Sequence, residues 1–257
     1  MPEAPSSRDL VGSLEKGLGV IEILAAHPAG LTLTETAERA GLTRAGARRL
    51  LLTLVAAGYA TQNGRVFALS PKLLSLSRAW LEGASLWSFA EPFMREVAAE
   101  MNESCSAAVL SDHDVVYVAR IPGARIMRVA LQVGTRLPAY CTSMGRVLMS
   151  GMTQEQLADF LGGMTIEPNT PKTVTDRREI AQKVRQAAEQ GFALVDEELE
   201  LGLRSIAVPV RDRQGAIVAA INVSTQSARF SVAEMERTIL PPLKHAAEKI
   251  EDFFAVQ

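Results

Sequence analysis

The side chains best suited to chemistry in this sequence are arginines near its N-terminal end. Arg44, Arg48, Arg49 and Arg65 fall within residues 43–69, a stretch that contains no acidic residue. A guanidinium group donates paired hydrogen bonds to a guanine edge and also holds phosphate oxygens. These residue types indicate contact with double-stranded DNA. A solvated amphipathic helix without a partner would carry the same charges, so the neighbouring elements decide between the two interpretations.

The elements that must position these arginines are a helix and a hairpin. Thr43 stands where a helix N-cap is expected, and apolar residues then recur every three or four positions, which places Arg44 and Arg48 on the opposite face. Gly58 ends this helix, and the turn dipeptide Asn63-Gly64 predicts a two-stranded wing with Arg65 at its tip.

Two shorter patterns precede this helix. A first helix is expected from Ser13, and Thr32 with Glu35 has the spacing of a capping box that opens a short helix ending at Gly41. The residues expected to face inward on the first helix are Leu14, Leu18, Ile21, Leu24 and Ala25. The order helix, helix, tight turn, helix and hairpin is that of a winged helix-turn-helix, which favours the DNA-binding interpretation.

Composition and charge exclude several other classes of protein. The chain has 257 residues, 47% of them hydrophobic, and a net charge of −2, so it can bury a core and is not basic as a whole. No signal peptide and no apolar run of about 20 residues occurs, so we expect a cytoplasmic protein without a membrane segment. The two cysteines and three histidines are scattered, and no phosphate-binding glycine loop is present. We therefore expect neither a metal nor a cofactor.

The remainder of the chain predicts a second, larger domain. Leu73, Leu76 and Trp80 have helical spacing, and a longer helix is expected over residues 86–102. Alternating segments follow, and capping pairs predict helix starts at Thr153, Asp176 and Ser231. The fold class is α+β. The expected divisions are a flexible tail over 1–10, a winged helix-turn-helix over 11–70, a linker helix over 71–85 and one domain over 86–257.

At this point the motifs identify a family. The segments that carry the resemblance are SLEKGLGVIEIL, LTLTETAERAGLTRAGARRLLLTL, VGTRLPAYCTSMGRVL and DEELELGLRSIAVPVRD. Together they closely resemble the IclR-type transcriptional regulators over nearly the whole chain. ESCSAAVL, VVYVARIP and RIMRVALQVGTRLPAY look like the branch that controls catabolism of protocatechuate, 4-hydroxybenzoate and related β-ketoadipate pathway acids.

This resemblance implies the architecture and the partners. It implies a winged DNA-binding domain, a linker helix and a GAF-like effector domain built on an antiparallel sheet. The chain would act as a homodimer, or as a tetramer of two dimers, on a palindromic operator, and would respond to a small organic acid. Family members include both repressors and activators, so the sign of the response stays open.

The resemblance also places the effector pocket. Ser143 and Met144 match a backbone-amide loop that grips a carboxylate, and a helix that starts there would present free N–H groups to an anion in any case. The remaining matched positions are the apolar walls Ile126, Val129 and Leu137 and the lining residues Val195, Ser205, Asn222 and Ser224.

Further residues around this pocket are considered on their chemistry alone. Arg128 or Arg136 would supply a forked partner for the acid, and Tyr140 a ring or a hydroxyl. In family members that bind small keto acids, position 195 is acidic and positions 143 and 144 are small, whereas this chain has Val195 and Met144. The less polar lining favours an aromatic acid such as 4-hydroxybenzoate or protocatechuate over glyoxylate.

One competing hypothesis is an enzyme that converts a small acid, with the N-terminal helices serving only for dimerisation. Its candidate groups would be Cys141 with His113, or Asp196 with Glu198. No triad spacing or carboxylate pair supports this hypothesis, and Cys141 is expected to be a core thiol. The sequence therefore predicts a regulator and not an enzyme.

Overall fold

The computed structural model describes residues 11–73, 75, 85–123 and 131–255. The chain divides into two compact units, Met1–Gly83 and Ala84–Gln257. The expected tail, most of the expected linker helix, and the pocket residues Ile126, Arg128 and Val129 lie outside the described residues.

The first unit has three helices and a small sheet within its described residues. The helices are α1 (Gly12–Ala25), α2 (Leu33–Arg39) and α3 (Arg44–Ala56), and the strands are β1 (Leu31–Thr32), β2 (Ala60–Asn63) and β3 (Val66–Leu69). The strands form an antiparallel sheet in the order β1-β3-β2. The predicted order of helices and hairpin is confirmed, as is the capping box between Thr32 and Glu35.

The prediction for the first helix was wrong in two respects. Its N-cap is Val11, without a capping side chain, and not Ser13. Leu14 and Leu18 are 62% and 52% exposed, whereas the buried residues are Val20 and Leu24. This helix carries apolar residues on more than one face, and the core formed with Leu51 and Phe67 selects which face is buried.

The second unit is built on a six-stranded antiparallel sheet. Its strands are β4 (Ser104–Ser111), β5 (Asp114–Ile121), β6 (Arg136–Pro138), β7 (Ala193–Asp196), β8 (Leu203–Arg211) and β9 (Ile217–Gln226), in the order β6-β5-β4-β9-β8-β7. The edge strands β6 and β7 were not predicted, because three or four residues are too short for an alternating pattern to stand out.

Helices cover both faces of this sheet. Against one face lie α4 (Ser85–Met101) and α9 (Leu240–Ala255), which follows α8 (Val232–Glu234) and a π-helical turn, Met235–Ile239. Against the other lie α5 (Ser143–Met149), α6 (Gln154–Gly162) and α7 (Arg177–Gln190). The predicted capping boxes at Thr153 and Ser231 are present, and Asp176 caps α7.

Strand alternation makes the α5 side of the sheet unusually polar. Cys105, Ile206 and Val223 face the α4 and α9 core, so their neighbours in the strands face the opposite side. These neighbours on the α5 side are Ser104, Ser106, Ser205, Asn222 and Ser224. All five are buried, so the sheet presents a polar strip to its α5 layer.

Candidate functional site

The first candidate site is the surface formed by α3 and the wing. Thr43 caps α3 by accepting a hydrogen bond from the Gly46 amide at 3.1 Å. Ala47 and Leu51, on the inner face of α3, are fully buried. Because the apolar face is fixed in the core, the opposite face of α3 is held toward solvent.

The four arginines of this surface are all exposed. Arg44, Arg48 and Arg49 lie on α3, and Arg65 occupies the loop that joins Asn63 of β2 to Val66 of β3. Within the described residues, none of these guanidinium groups makes an ion pair or a side-chain hydrogen bond. On α2, the Glu35 carboxylate accepts hydrogen bonds from the Thr32 amide and hydroxyl at 2.8 and 2.7 Å, and these hydrogen bonds lower its pKa. The surface therefore offers free cations to an anionic partner.

The second candidate site is a cavity between the polar strip and the start of α5. The space between its walls is about 400 Å³, a value that includes the open solvent at its mouth. Its lining combines apolar walls with a few polar groups. The lining residues are Tyr117, Leu131, Cys141, Thr142, Ser143, Met144, Val195, Leu199, Leu203, Ser205, Asn222 and Ser224.

A tight turn fixes the α5 side of the cavity. A short 3-10 helix, Ala139–Cys141, leads into α5, and the Thr142 hydroxyl caps the helix by accepting from the Gly145 amide at 3.2 Å. A Cβ atom at Gly145 would lie 2.1 Å from the carbonyl oxygen of Ala139. Only glycine permits this close approach, which sets the position of Ser143 at the cavity wall.

Two buried polar atoms in this cavity have no hydrogen-bond partner. The Ser143 hydroxyl and Asn222 Oδ1 are both unpartnered within the described structure, although the two residues are only 1% and 3% exposed. The other end of the Asn222 amide is satisfied, because Nδ2 donates to the Ser224 hydroxyl at 3.0 Å. Leaving a buried polar group unpaired costs about 1–3 kcal/mol, so a ligand that pairs with these atoms recovers that free energy.

Sequence reasoning missed Arg120, which lies on β5 beside this cavity. Its guanidinium group donates to the hydroxyls of Ser106 and Ser104, both at 3.2 Å, and has no carboxylate partner among the described residues. Burial lowers its pKa, and the nearby Tyr117 hydroxyl partly opposes this shift. Burial likewise raises the pKa of Tyr117 to about 12, with Arg120 opposing. Only the strand register, which the sequence does not give, would have shown Arg120 on the polar strip.

The structure brings most of the predicted pocket residues together. The predicted residues that line the cavity are Ser143, Met144, Val195, Ser205, Asn222 and Ser224. Leu137 and Tyr140 do not. Leu137 packs on the core beneath α5, and the Tyr140 hydroxyl donates to the Glu167 carbonyl at 2.7 Å. Arg136 is held at the β4–β5 hairpin by Asp112 and Asp114.

The groups considered for an enzyme are arranged differently. Burial, reinforced by Glu198, raises the pKa of Cys141 to about 12, so its thiol stays protonated. The His113 ring packs against Phe160, with centroids 4.8 Å apart. Asp196 is paired with Arg204. No nucleophile with an adjacent base is therefore formed by these groups.

Glu198 belongs to a buried ion pair behind the cavity. Arg146 of α5 donates to it at 2.6 Å, and the side chains are 3% and 7% exposed. The Val174 amide also donates to this carboxylate at 3.2 Å. This pair joins α5 to the segment after β7, which supplies Leu199 to the cavity.

Two other features, a metal site and a membrane-spanning helix, are absent from the described residues. No group of three or more His, Cys, Asp or Glu residues in the described ranges could hold a metal ion. None of the helices described is long and apolar enough to cross a membrane.

Two family models match the chain and divide it between them. The model described as "IclR helix-turn-helix domain" matches residues 13–64, and the one described as "Bacterial transcriptional regulator IclR C-terminal" matches residues 78–252. The first match contains α3 with its three arginines. It ends one residue before Arg65 of the wing. The second contains the whole cavity.

Curated relatives and a solved structure agree with these matches. The chain is 39% identical to the Pca regulon regulatory protein of Pseudomonas putida, over 94% of this chain and 84% of the relative. It is 33% identical to the p-hydroxybenzoate hydroxylase transcriptional activator of Acinetobacter baylyi, over 96% and 93%. A crystal structure of a putative transcriptional regulator from Rhodococcus sp. RHA1 superposes with a TM-score of 0.82 at 40% identity, covering 96% of this chain and 99% of that one.

Proposed function

We propose that this chain, which belongs to the IclR family of bacterial transcriptional regulators, controls an operon for aromatic-acid catabolism in response to an aromatic acid. Family membership makes it a DNA-binding regulator, and not an enzyme, with an effector-binding C-terminal domain. Two relatives are named for the Pca regulon and for p-hydroxybenzoate hydroxylase, which supports the choice of an aromatic acid.

The observation that carries the effector assignment is the pair of unpartnered polar atoms in a cavity that also has apolar walls. Ser143 Oγ and Asn222 Oδ1 require polar partners, while Leu131, Met144 and Val195 supply apolar surface. A single aromatic ring with polar substituents satisfies both requirements, because ring burial is favourable and the substituents complete the hydrogen bonds. The effector proposed is 4-hydroxybenzoate, protocatechuate or a related carboxylate.

On the DNA side, we assign residues 11–70 to the operator contact. Arg44, Arg48 and Arg49 would enter the major groove with α3, and Arg65 would hold a phosphate from the wing. Residues 71–85 would link this domain to the effector domain over 86–257. A homodimer, or a tetramer of two dimers, would present paired winged domains to a palindromic operator in the bacterial cytoplasm.

The effector acts through unequal affinity for the DNA-bound and DNA-free forms. A coupling of about 1–3 kcal/mol between two sites is typical, and by linkage the operator changes effector affinity by the same factor. This linkage allows either sign of response. The effector could cause release of the operator, or it could activate transcription by the operator-bound protein.

The test combines thermal shift and gel shift on the full chain. The protein is screened with 4-hydroxybenzoate, protocatechuate, glyoxylate and pyruvate, and the acids that raise its Tm are added to gel shifts with its own promoter region. We expect an aromatic acid to raise the Tm and to change operator retention. Tighter binding of glyoxylate or pyruvate would contradict the effector class. Absence of salt-sensitive binding to any promoter duplex would contradict the regulator itself.

A further inference from the structure

The strand register places one row of polar side chains across three strands beside the cavity. Arg120 of β5 is paired with Ser106 of β4, and Ser106 is paired with Asn222 of β9. Directly paired residues of antiparallel strands project from the same face. The row therefore runs from a half-buried cation to an amide that lines the cavity.

Both ends of this row have unused hydrogen-bonding capacity. A guanidinium group has five N–H donors, and Arg120 gives two hydrogen bonds to serine hydroxyls within the described structure. At the other end, the acceptor Asn222 Oδ1 has no partner in that same part of the chain. The row thus has a free donor at one end and a free acceptor at the other.

One small group can satisfy both ends. The Arg120 guanidinium group donates to the Ser106 hydroxyl at 3.2 Å, and Ser106 lies one strand spacing, about 4.8 Å, from its paired residue Asn222. A hydroxyl oxygen seated above Ser106 would be within hydrogen-bonding reach of both ends of the row, at about 2.8 Å from each. It accepts from the guanidinium group and donates to the amide oxygen.

We propose that the row of Arg120, Ser106 and Asn222 determines effector specificity by recognising a hydroxyl group on the aromatic ring. This inference rests on the proposed function and adds which substituent the cavity selects. A hydroxyl is both donor and acceptor, whereas a methoxy group only accepts and a hydrogen atom does neither. A carboxylate would bind Arg120 but would leave Asn222 Oδ1 facing a second acceptor.

The test measures how each substituent depends on each residue. Calorimetry on the full chain compares 4-hydroxybenzoate, 4-methoxybenzoate and benzoate in the wild type and in the variants Arg120→Met and Asn222→Leu. Arg136→Met is the matched control, because Arg136 also lies at the β5 side of the sheet but is engaged at the hairpin by Asp112 and Asp114. Circular dichroism and Tm establish that each variant is folded, and the two variants at opposite ends of the row give independent readings.

The expected result is a loss of discrimination and not a general loss of binding. The wild type and Arg136→Met should prefer 4-hydroxybenzoate over benzoate by about 10- to 100-fold, the range for hydrogen bonds that include a charged group. Arg120→Met and Asn222→Leu should each bring this ratio close to one.

Several outcomes would overturn the inference. It fails if the wild type does not distinguish the two acids, or if either folded variant keeps the full preference. It also fails if Arg120→Met weakens benzoate and 4-hydroxybenzoate equally, because the arginine would then bind the carboxylate. If the wild type binds no aromatic acid at all, the proposed effector class is wrong. The proposed role of the row in effector specificity is then wrong as well.

Discussion

In the first unit, the side chains of Arg44, Arg48 and Arg65 are exposed to water. In the second unit, by contrast, Ser143 Oγ and Asn222 Oδ1 are enclosed and have no hydrogen-bond partner among the described residues. An exposed cation is solvated and needs no partner for folding, but an enclosed polar atom lowers the stability of the folded chain until something binds it. The arginine surface is thus complete without a partner, whereas the cavity leaves two polar atoms for a ligand to pair with.

This difference predicts where stability and function are coupled. Substitutions on the arginine surface should change binding and leave unfolding unaltered, because these side chains make no ion pair or side-chain hydrogen bond within the described residues. Substitutions around the cavity should change both, because the residues that shape it also hold α5 against the sheet. The predictions below test this contrast, from the largest expected effect to the smallest.

The largest effect is expected at the buried ion pair behind the cavity. Arg146→Met leaves the Glu198 carboxylate buried with only the Val174 amide as a described donor. Removing one partner of a buried pair typically costs about 3–5 kcal/mol, because the remaining charge has lost its compensation. Urea unfolding of the full chain should show this decrease in the free energy of unfolding.

A double variant and a surface variant serve as controls. Arg146→Met with Glu198→Met should be more stable than Arg146→Met alone, since no unpaired charge remains. Arg48→Met on α3 should change stability by no more than about 0.5 kcal/mol. A large loss in Arg48→Met, or none in Arg146→Met, would remove the contrast between the two regions.

The next effect is steric, at the turn that sets Ser143. In Gly145→Ala the added methyl would meet the Ala139 carbonyl oxygen at 2.1 Å, so α5 must move away from the 3-10 turn. Such overpacking costs about 1–3 kcal/mol and shifts the cavity wall. Unfolding experiments should show the loss of stability, and calorimetry should show weakened binding of the aromatic acid.

Gly162→Ala is the matched control for this prediction. Gly162 ends α6, and a Cβ atom there meets no neighbour within 4 Å. Its replacement should be neutral or slightly stabilising, because alanine has the higher helix propensity. Equal behaviour of the two variants would show that the turn does not constrain the site.

Operator affinity should fall when the α3 arginines are removed, with no effect on unfolding. Arg44→Ala or Arg48→Ala should cost about 1–3 kcal/mol of binding free energy if the arginine contacts a base, and should relax the preference at one base pair. Gel-shift titrations against single-base operator variants measure this change. The control variant is Arg185→Ala, at an exposed position of α7, which should leave operator affinity unchanged. Unchanged affinity in all three variants would contradict the proposal that the α3 arginines contact the operator.

The two regions also differ in how well the sequence predicts them, because one depends on local patterns and the other on contacts between distant residues. The N-cap at Thr43 and the wing hairpin depend on residues within a few positions of each other, so their patterns were sufficient to predict the helix and the wing. The predicted turn was one residue off, because Asn63 ends β2 and the two turn residues are Gly64 and Arg65. The face of α1 that is buried depends on contacts with Leu51 and Phe67, so the sequence pattern correctly placed Leu24 inward but wrongly placed Leu14 and Leu18 there.

The cavity depends even more on distant pairing. Ser143, Asn222 and Ser224 were identified through family resemblance, but no local pattern shows that Asn222 Oδ1 lacks a partner. The position of Arg120 on the polar strip follows from pairing with Ser106, which is a property of strand register. Register is set by the whole sheet, so a single strand does not reveal it.

The smallest effect is expected at the wing. Arg65 lies in an exposed loop and has no partner within the described residues, so we expect it to contact a phosphate and not a base. Arg65→Ala should then weaken binding to all duplexes alike and lower the slope of log affinity against log salt by about one. Arg65→Lys keeps the charge and should keep the slope. An unchanged slope with altered preference at one base pair would instead make Arg65 a base-reading residue. The proposed effector contacts are enclosed, so effector affinity should depend on salt much less steeply than operator affinity.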